Sequence, residues 1–125
     1  MAANILVIED YASNLELMVA LLEVAGFEVI QATTAELGID LAKDNPPDLI
    51  LMDLRLPGMD GLTATQILQK CGKTKDIPII ALTANVMAGA EAEALAMGCR
   101  RFITKPIDTR TFARTIAELI ASSGS

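Results

Sequence analysis

The sequence predicts an α/β fold: one parallel sheet wound with helices on both faces. Three observations predict it. Short apolar runs recur at intervals long enough for a helix and two loops. Helical patterns with capping and stop residues fill those intervals. Four of the runs end in polar or charged residues, which places a cluster at one edge of the sheet.

Taken in order, the first strand is Ile5–Ile8, the third Leu49–Met52 and the fourth Ile77–Leu82. All three are continuously apolar, as suits strands buried on both faces. The second, Glu28–Ala32, and the fifth, Arg101–Thr104, are mixed and read as edge strands. Ser13 can cap a first helix running to about Ala25, with Gly26 as its stop. Leu15, Met18, Val19 and Leu22 form one apolar stripe on it, and Leu17, Leu21 and Val24 a second. That helix is either buried around much of its circumference or meets a partner with one flank. The second helix covers about Ala35 to Lys43 after Thr33-Thr34 and ends before Pro46-Pro47. The third runs from Leu62 to about Cys71, the fourth from about Asn85 to Met97. A fifth follows Asp108 as cap and carries Phe112, Ile116, Leu119 and Ile120 on one face. Five strand–helix units with right-handed crossovers fit the doubly wound, flavodoxin-like (βα)5 order 2-1-3-4-5. One domain over residues 1–125 is expected, with 122–125 as a flexible tail.

Composition narrows the function. Hydrophobic residues make up 52% of the chain, enough for one sizeable core, while the net charge of −6 argues against a nucleic-acid partner. Charge is uneven: residues 1–48 hold nine acids and one base, Lys43, whereas Arg100, Arg101, Lys105, Arg110 and Arg114 cluster late. The chain has no histidine, so the usual triads and zinc sites are excluded and any phosphohistidine must come from another molecule. Cys71 and Cys99 form no CxxC pair and read as thiols in a reducing compartment. No basic leader precedes Asn4-Ile5-Leu6-Val7-Ile8, and no apolar run reaches membrane-spanning length. A cytoplasmic setting away from membranes is expected.

The strand ends carry the chemistry. Glu9-Asp10 follow the first strand, Asp53 the third, Thr83 the fourth and Lys105-Pro106 the fifth. Singly, an Asp at such a position is often only a turn former. Together they would bring three carboxylates within a few Å, where repulsion amounts to several kcal/mol at an effective dielectric of about 20. Either a carboxyl stays protonated or a cation enters. An oxygen-only set suits Mg²⁺. With an ammonium from Lys105 and a hydroxyl from Thr83, such a site suits a phosphoryl group and an attacking carboxylate.

On these residues the chain resembles the response-regulator receiver family, the CheY-like superfamily, over essentially its whole length. The matching segments are Val7-Ile8-Glu9-Asp10, Pro47 through Asp53, Leu56-Pro57-Gly58-Met59-Asp60-Gly61, Ile79 through Ala84, and Phe102-Ile103-Thr104-Lys105-Pro106. Stand-alone DivK-type regulators are the most similar, with Asn14 after the acidic pair, although Tyr11 stands where they often carry Asn. The resemblance implies Asp53 as phosphoacceptor. It implies Glu9, Asp10, Asp53 and the backbone carbonyl of Arg55 as ligands of Mg²⁺. It assigns Thr83, Ala84, Lys105 and Phe102 to phosphoryl binding and switching, with a cis bond before Pro106. Arg55 and Asn85 occupy the positions that tune phosphoryl lifetime.

The same resemblance implies a histidine kinase or histidine phosphotransfer protein as phosphodonor. It implies a downstream protein partner at the face of the fourth helix, fifth strand and fifth helix. No effector domain is expected after the last helix, so output is by contact or the domain belongs to a longer chain. Rival readings fit less well: an FMN binder needs a phosphate loop where Glu9-Asp10 stand, and an Asp-nucleophile phosphatase needs a second acid at Arg55. A pure docking scaffold would not need the five-residue set.

Overall fold

The computed structural model describes residues 2–84 and 89–123. In chain order they form β1 (Asn4–Ile8), α1 (Ala12–Val24), β2 (Glu28–Ala32), α2 (Ala35–Asp44), β3 (Leu49–Asp53), α3 (Gly61–Lys70), β4 (Ile79–Thr83), α4 (Ala90–Ala96), β5 (Arg101–Thr104) and α5 (Phe112–Ser123). The five strands are parallel in the order β2-β1-β3-β4-β5. The expected fold class is therefore the observed one.

Strand alternation sorts the apolar residues into two cores. Leu6, Ile8, Ile50, Met52, Ile79 and Ala81 pack on the α2 and α3 side with Ile39, Ala64 and Leu68. Ile5, Val7, Leu49, Leu51, Ile80 and Leu82 pack on the opposite side against Met18 and Leu22 of α1 and Phe112 and Ile116 of α5. Both faces are thus covered, which explains why β1, β3 and β4 read as unbroken apolar runs.

Several local expectations change. α1 starts at Ala12 with Tyr11 as its cap residue and no side-chain cap bond, so Ser13 lies inside the helix. Its end is a Schellman motif: Gly26 N–H donates to Glu23 O at 3.0 Å and Phe27 N–H to Leu22 O at 3.0 Å. Gly26 adopts φ +96°, which a side chain would disfavour. The first apolar stripe of α1 is buried, but in the second only Leu21 packs partly against the core, while Leu17 is 40% and Val24 90% exposed. β4 begins at Ile79, not Ile77, because Pro78 has no N–H for the ladder, although its carbonyl accepts from Ile50 N–H at 3.0 Å.

α2 and α3 are capped by side chains, Thr34 Oγ1 accepting from Leu37 N–H at 3.1 Å and Asp60 Oδ1 from Thr63 N–H at 2.7 Å. The expected fourth helix begins in residues 85–88, which lie outside the described residues; the described helix is Ala90–Ala96. Asp108 caps a turn ahead of α5, its Oδ1 accepting from Arg110 N–H at 3.0 Å. α5 continues through Ser123, into the expected tail, and residues 124–125 lie outside the described ones. No helix among the described residues is long and apolar enough to cross a membrane.

Gly61 opens α3 against the end of β3. A Cβ there would overlap the backbone carbonyl oxygen of Asp53 and come within 2.8 Å of Leu54 Cα. Backbone cannot yield as a side-chain tip can. Gly61→Ala is expected to cost about 1–3 kcal/mol of unfolding free energy. Gly72→Ala, where no atom lies within 4 Å, should be neutral or slightly stabilising. Urea denaturation of both variants checks this, and equal midpoints would refute the close approach.

Candidate functional site

The carboxyl ends of β1, β3, β4 and β5 lie side by side, and backbone bonds continue the ladder past them. Leu54 N–H donates to Leu82 O at 3.0 Å, Lys105 N–H to Thr83 O at 2.8 Å, and Glu9 N–H to Ala32 O at 3.0 Å. These bonds fix the chain at the points where the polar side chains emerge.

Glu9, Asp53 and Lys105 meet there. Lys105 Nζ lies 2.7 Å from Glu9 Oε1 and 3.0 Å from Asp53 Oδ2. The second oxygen of each acid is held by backbone: Arg55 N–H donates to Asp53 Oδ1 at 2.9 Å, and Tyr11 N–H to Glu9 Oε2 at 3.3 Å. Both carboxylates are buried, whereas Asp10 beside them is exposed. Sequence reasoning did not find the two backbone donors or the Lys105–Glu9 contact, because neither amides nor pairings have a residue-type signature. One further cavity, of about 60 Å³, adjoins the pair and is lined by Asn14, Leu17, Met18 and Ile107.

The other expected residues fall around this centre. Thr83 is buried at the end of β4, and Ala84 after it is exposed. Phe102 is half-buried and packs on the α3 side of the sheet. The Lys105–Pro106 peptide bond is cis. Arg55 is exposed, and Asn85 lies outside the described residues.

Glu9, Asp10 and Asp53 can each offer one carboxylate oxygen, all lying within 4.8 Å of one another. Buried Glu9 Oε1 has no hydrogen-bond partner among the described residues, its approach to the ammonium being a charge contact. Three carboxylates facing one ammonium make an all-oxygen set that fits a hard divalent cation. Without one, a proton relieves the repulsion. Burial, and then Asp53 alongside, push the Glu9 carboxyl from 4.5 up to about 7, with Lys105 opposing. For Lys105, burial works downward, but Glu9 and Asp53 outweigh it and its pKa is raised.

A family model for the response regulator receiver domain matches residues 5–117. The polar-differentiation response regulators DivK of Brucella ovis and Brucella anthropi are each 36% identical over 123 residues, covering 98% of this chain and all of theirs. Among solved structures, the receiver domain of a sensor histidine kinase from Pseudomonas aeruginosa, with a magnesium ion coordinated in its active site cleft, is similar at TM-score 0.88 and 30% identity. That match covers 97% of this chain and 99% of that one. The signal receiver domain of a histidine kinase from Syntrophus aciditrophicus matches at TM-score 0.88 and 27% identity, covering 97% and 92%.

The raised Glu9 value has a sign. The folded chain keeps this proton up to about 7 while the unfolded chain releases it near 4.5, so the contribution to stability is present below 4.5 and is lost as pH rises through 7. In divalent-free buffer, the urea midpoint of the wild type should fall more between about pH 5 and about pH 8 than that of Glu9→Gln. Parallel profiles for the two proteins would refute the assignment. Lys105, raised from 10.5, keeps its favourable contribution throughout that window.

Proposed function

The chain belongs to the response regulator receiver domain family of two-component signalling, and from that premise we propose that Asp53 is its phosphoacceptor. The observation that carries this reading is the setting of Asp53. It is 3% exposed at the end of a central strand, its two oxygens are held by Lys105 and the Arg55 amide, and two further acids lie alongside. A buried aspartate so oriented can attack in line with little reorganisation.

Glu9, Asp10, Asp53 and the Arg55 carbonyl would hold Mg²⁺, whose chemistry is neutralisation of phosphoryl oxygens. An Asp53 oxygen forms the new bond to phosphorus as the phosphorus–nitrogen bond of the donor's phosphohistidine breaks. The donor is a histidine kinase or a histidine phosphotransfer protein. Lys105 exchanges part of its contact with the carboxylates for the incoming oxygens. Thr83 and Ala84 close on the group from β4, and Phe102 turns inward as Thr83 moves. Thr83 is in step with Ile79 and Ala81, on the sheet face where Phe102 also packs, so one motion can pass between them. Asn85 and Arg55 set the lifetime, and the domain assists its own dephosphorylation.

Output goes to a protein partner at the α4, β5 and α5 face, in the cytoplasm. Of the arginines there, Arg110 lies 3.5 Å from Asp108 and Arg114 lies 3.9 Å from Glu118 in exposed pairs worth little. Arg101 is exposed on β5 and offers an acidic partner its charge.

The test is incubation with acetyl phosphate and Mg²⁺ followed by intact mass. One phosphoryl group is expected on the wild type, none on Asp53→Asn, and none with excess EDTA. Labelling of the Asn variant to the same extent would remove Asp53 from its role.

A further inference from the structure

On the α3 and α4 side of the sheet lies a cavity of about 180 Å³, lined by Leu54, Arg55, Leu62, Thr83, Ala90 and Glu93. Two of these are charged, opposite in sign and carried by different elements. Arg55 follows the acceptor strand by two residues, and Glu93 sits in the first turn of α4. Both are exposed, and neither makes an ion pair with another described residue. At the carboxyl end of α4 Gln66 Nε2 donates to Met97 Sδ at 3.0 Å, Gln69 Nε2 to Gly98 O at 3.3 Å, and Cys99 N–H to Ala94 O at 3.1 Å.

We propose that Glu93 competes with a phosphoryl group on Asp53 for the Arg55 guanidinium, which makes it a positioning residue for loss of that group. This rests on Asp53 as phosphoacceptor. The aspartyl phosphate carries about −2 of charge where the carboxylate carried a single negative charge, with oxygens that match the guanidinium fork. Glu93 offers one carboxylate across the cavity. Arg55 drawn onto the phosphoryl oxygens obstructs the approach of water, and Arg55 drawn toward Glu93 leaves it open. In the reaction so controlled, water oxygen bonds to phosphorus and the Asp53 oxygen–phosphorus bond breaks. The carboxylate leaves with the electron pair, and the water's protons depart with inorganic phosphate.

The experiment phosphorylates each protein with acetyl phosphate and Mg²⁺, removes the donor by desalting and follows decay of the phosphorylated mass. Glu93→Gln should lengthen the lifetime about two- to fivefold, the range of a solvent-exposed charge interaction. Arg55→Ala should shorten it, and adding Glu93→Gln to that variant should change nothing further. The effect of Glu93→Gln should shrink at high salt, which a purely structural role would not produce. An unchanged lifetime in Glu93→Gln, or the same lengthening in the Arg55→Ala background, would overturn the proposal. A wild type that takes up no phosphoryl group would overturn the acceptor assignment, and this inference with it.

Discussion

The Lys105 ammonium stands between two buried carboxylates, 2.7 Å from one and 3.0 Å from the other, and the rest of the site is arranged around that contact. Two like charges held out of water repel, and each also loses hydration. One ammonium offsets part of this, and the Arg55 and Tyr11 amides offset more. Three acids against one base still leave a deficit of positive charge. The deficit falls on Glu9, whose carboxyl is pushed up to about 7 by burial and the neighbouring Asp53 despite the ammonium. A proton fills it one way and a divalent cation another. A centre short of positive charge favours a small hard cation among its oxygens.

Strand alternation divides the work between the two faces of the sheet. Asp53 continues the series Leu49 and Leu51, and Glu9 continues Ile5 and Val7, so both point with the residues that pack on α1 and α5. Thr83 continues Ile79 and Ala81, toward α3, and Phe102 packs on that same side. Charge is therefore gathered on one face, with Thr83 and Phe102 on the other. The backbone joins them, since Lys105 N–H bonds Thr83 O and Leu54 N–H bonds Leu82 O.

The sequence made some of this legible and hid the rest for identifiable reasons. β1 and β3 stood out because burial on both faces leaves no polar interruption. The acids were legible because the fold rule puts ligands beyond the carboxyl ends of parallel strands, and Glu9, Asp10, Asp53, Thr83 and Lys105 stand there. The start of α1 was not, because Ser13 is a good cap by residue type while Tyr11 takes the position through backbone geometry alone. Nor was the fate of Leu17 and Val24: two apolar stripes are compatible with burial, and only packing shows that α5 covers one of them. Pairing of Lys105 with Glu9 depends on distances that residue types do not encode.

Solvent access then distinguishes the acids of the centre. Asp10 is exposed, while Glu9 and Asp53 are buried at the ends of strands whose Ile8, Met52 and Leu82 have no measurable exposure. Of the three acids, Asp10 is the one that meets solvent. The packed strands forbid any approach through the sheet, and Gly61 lies directly against the carbonyl of Asp53. The packed strands beneath, with the Lys105 ammonium and the Arg55 amide, hold the Asp53 carboxylate in one orientation. Where charge has to be rearranged at each event and the acceptor must not move, close packing beneath the site is as much a part of the chemistry as the acids above it.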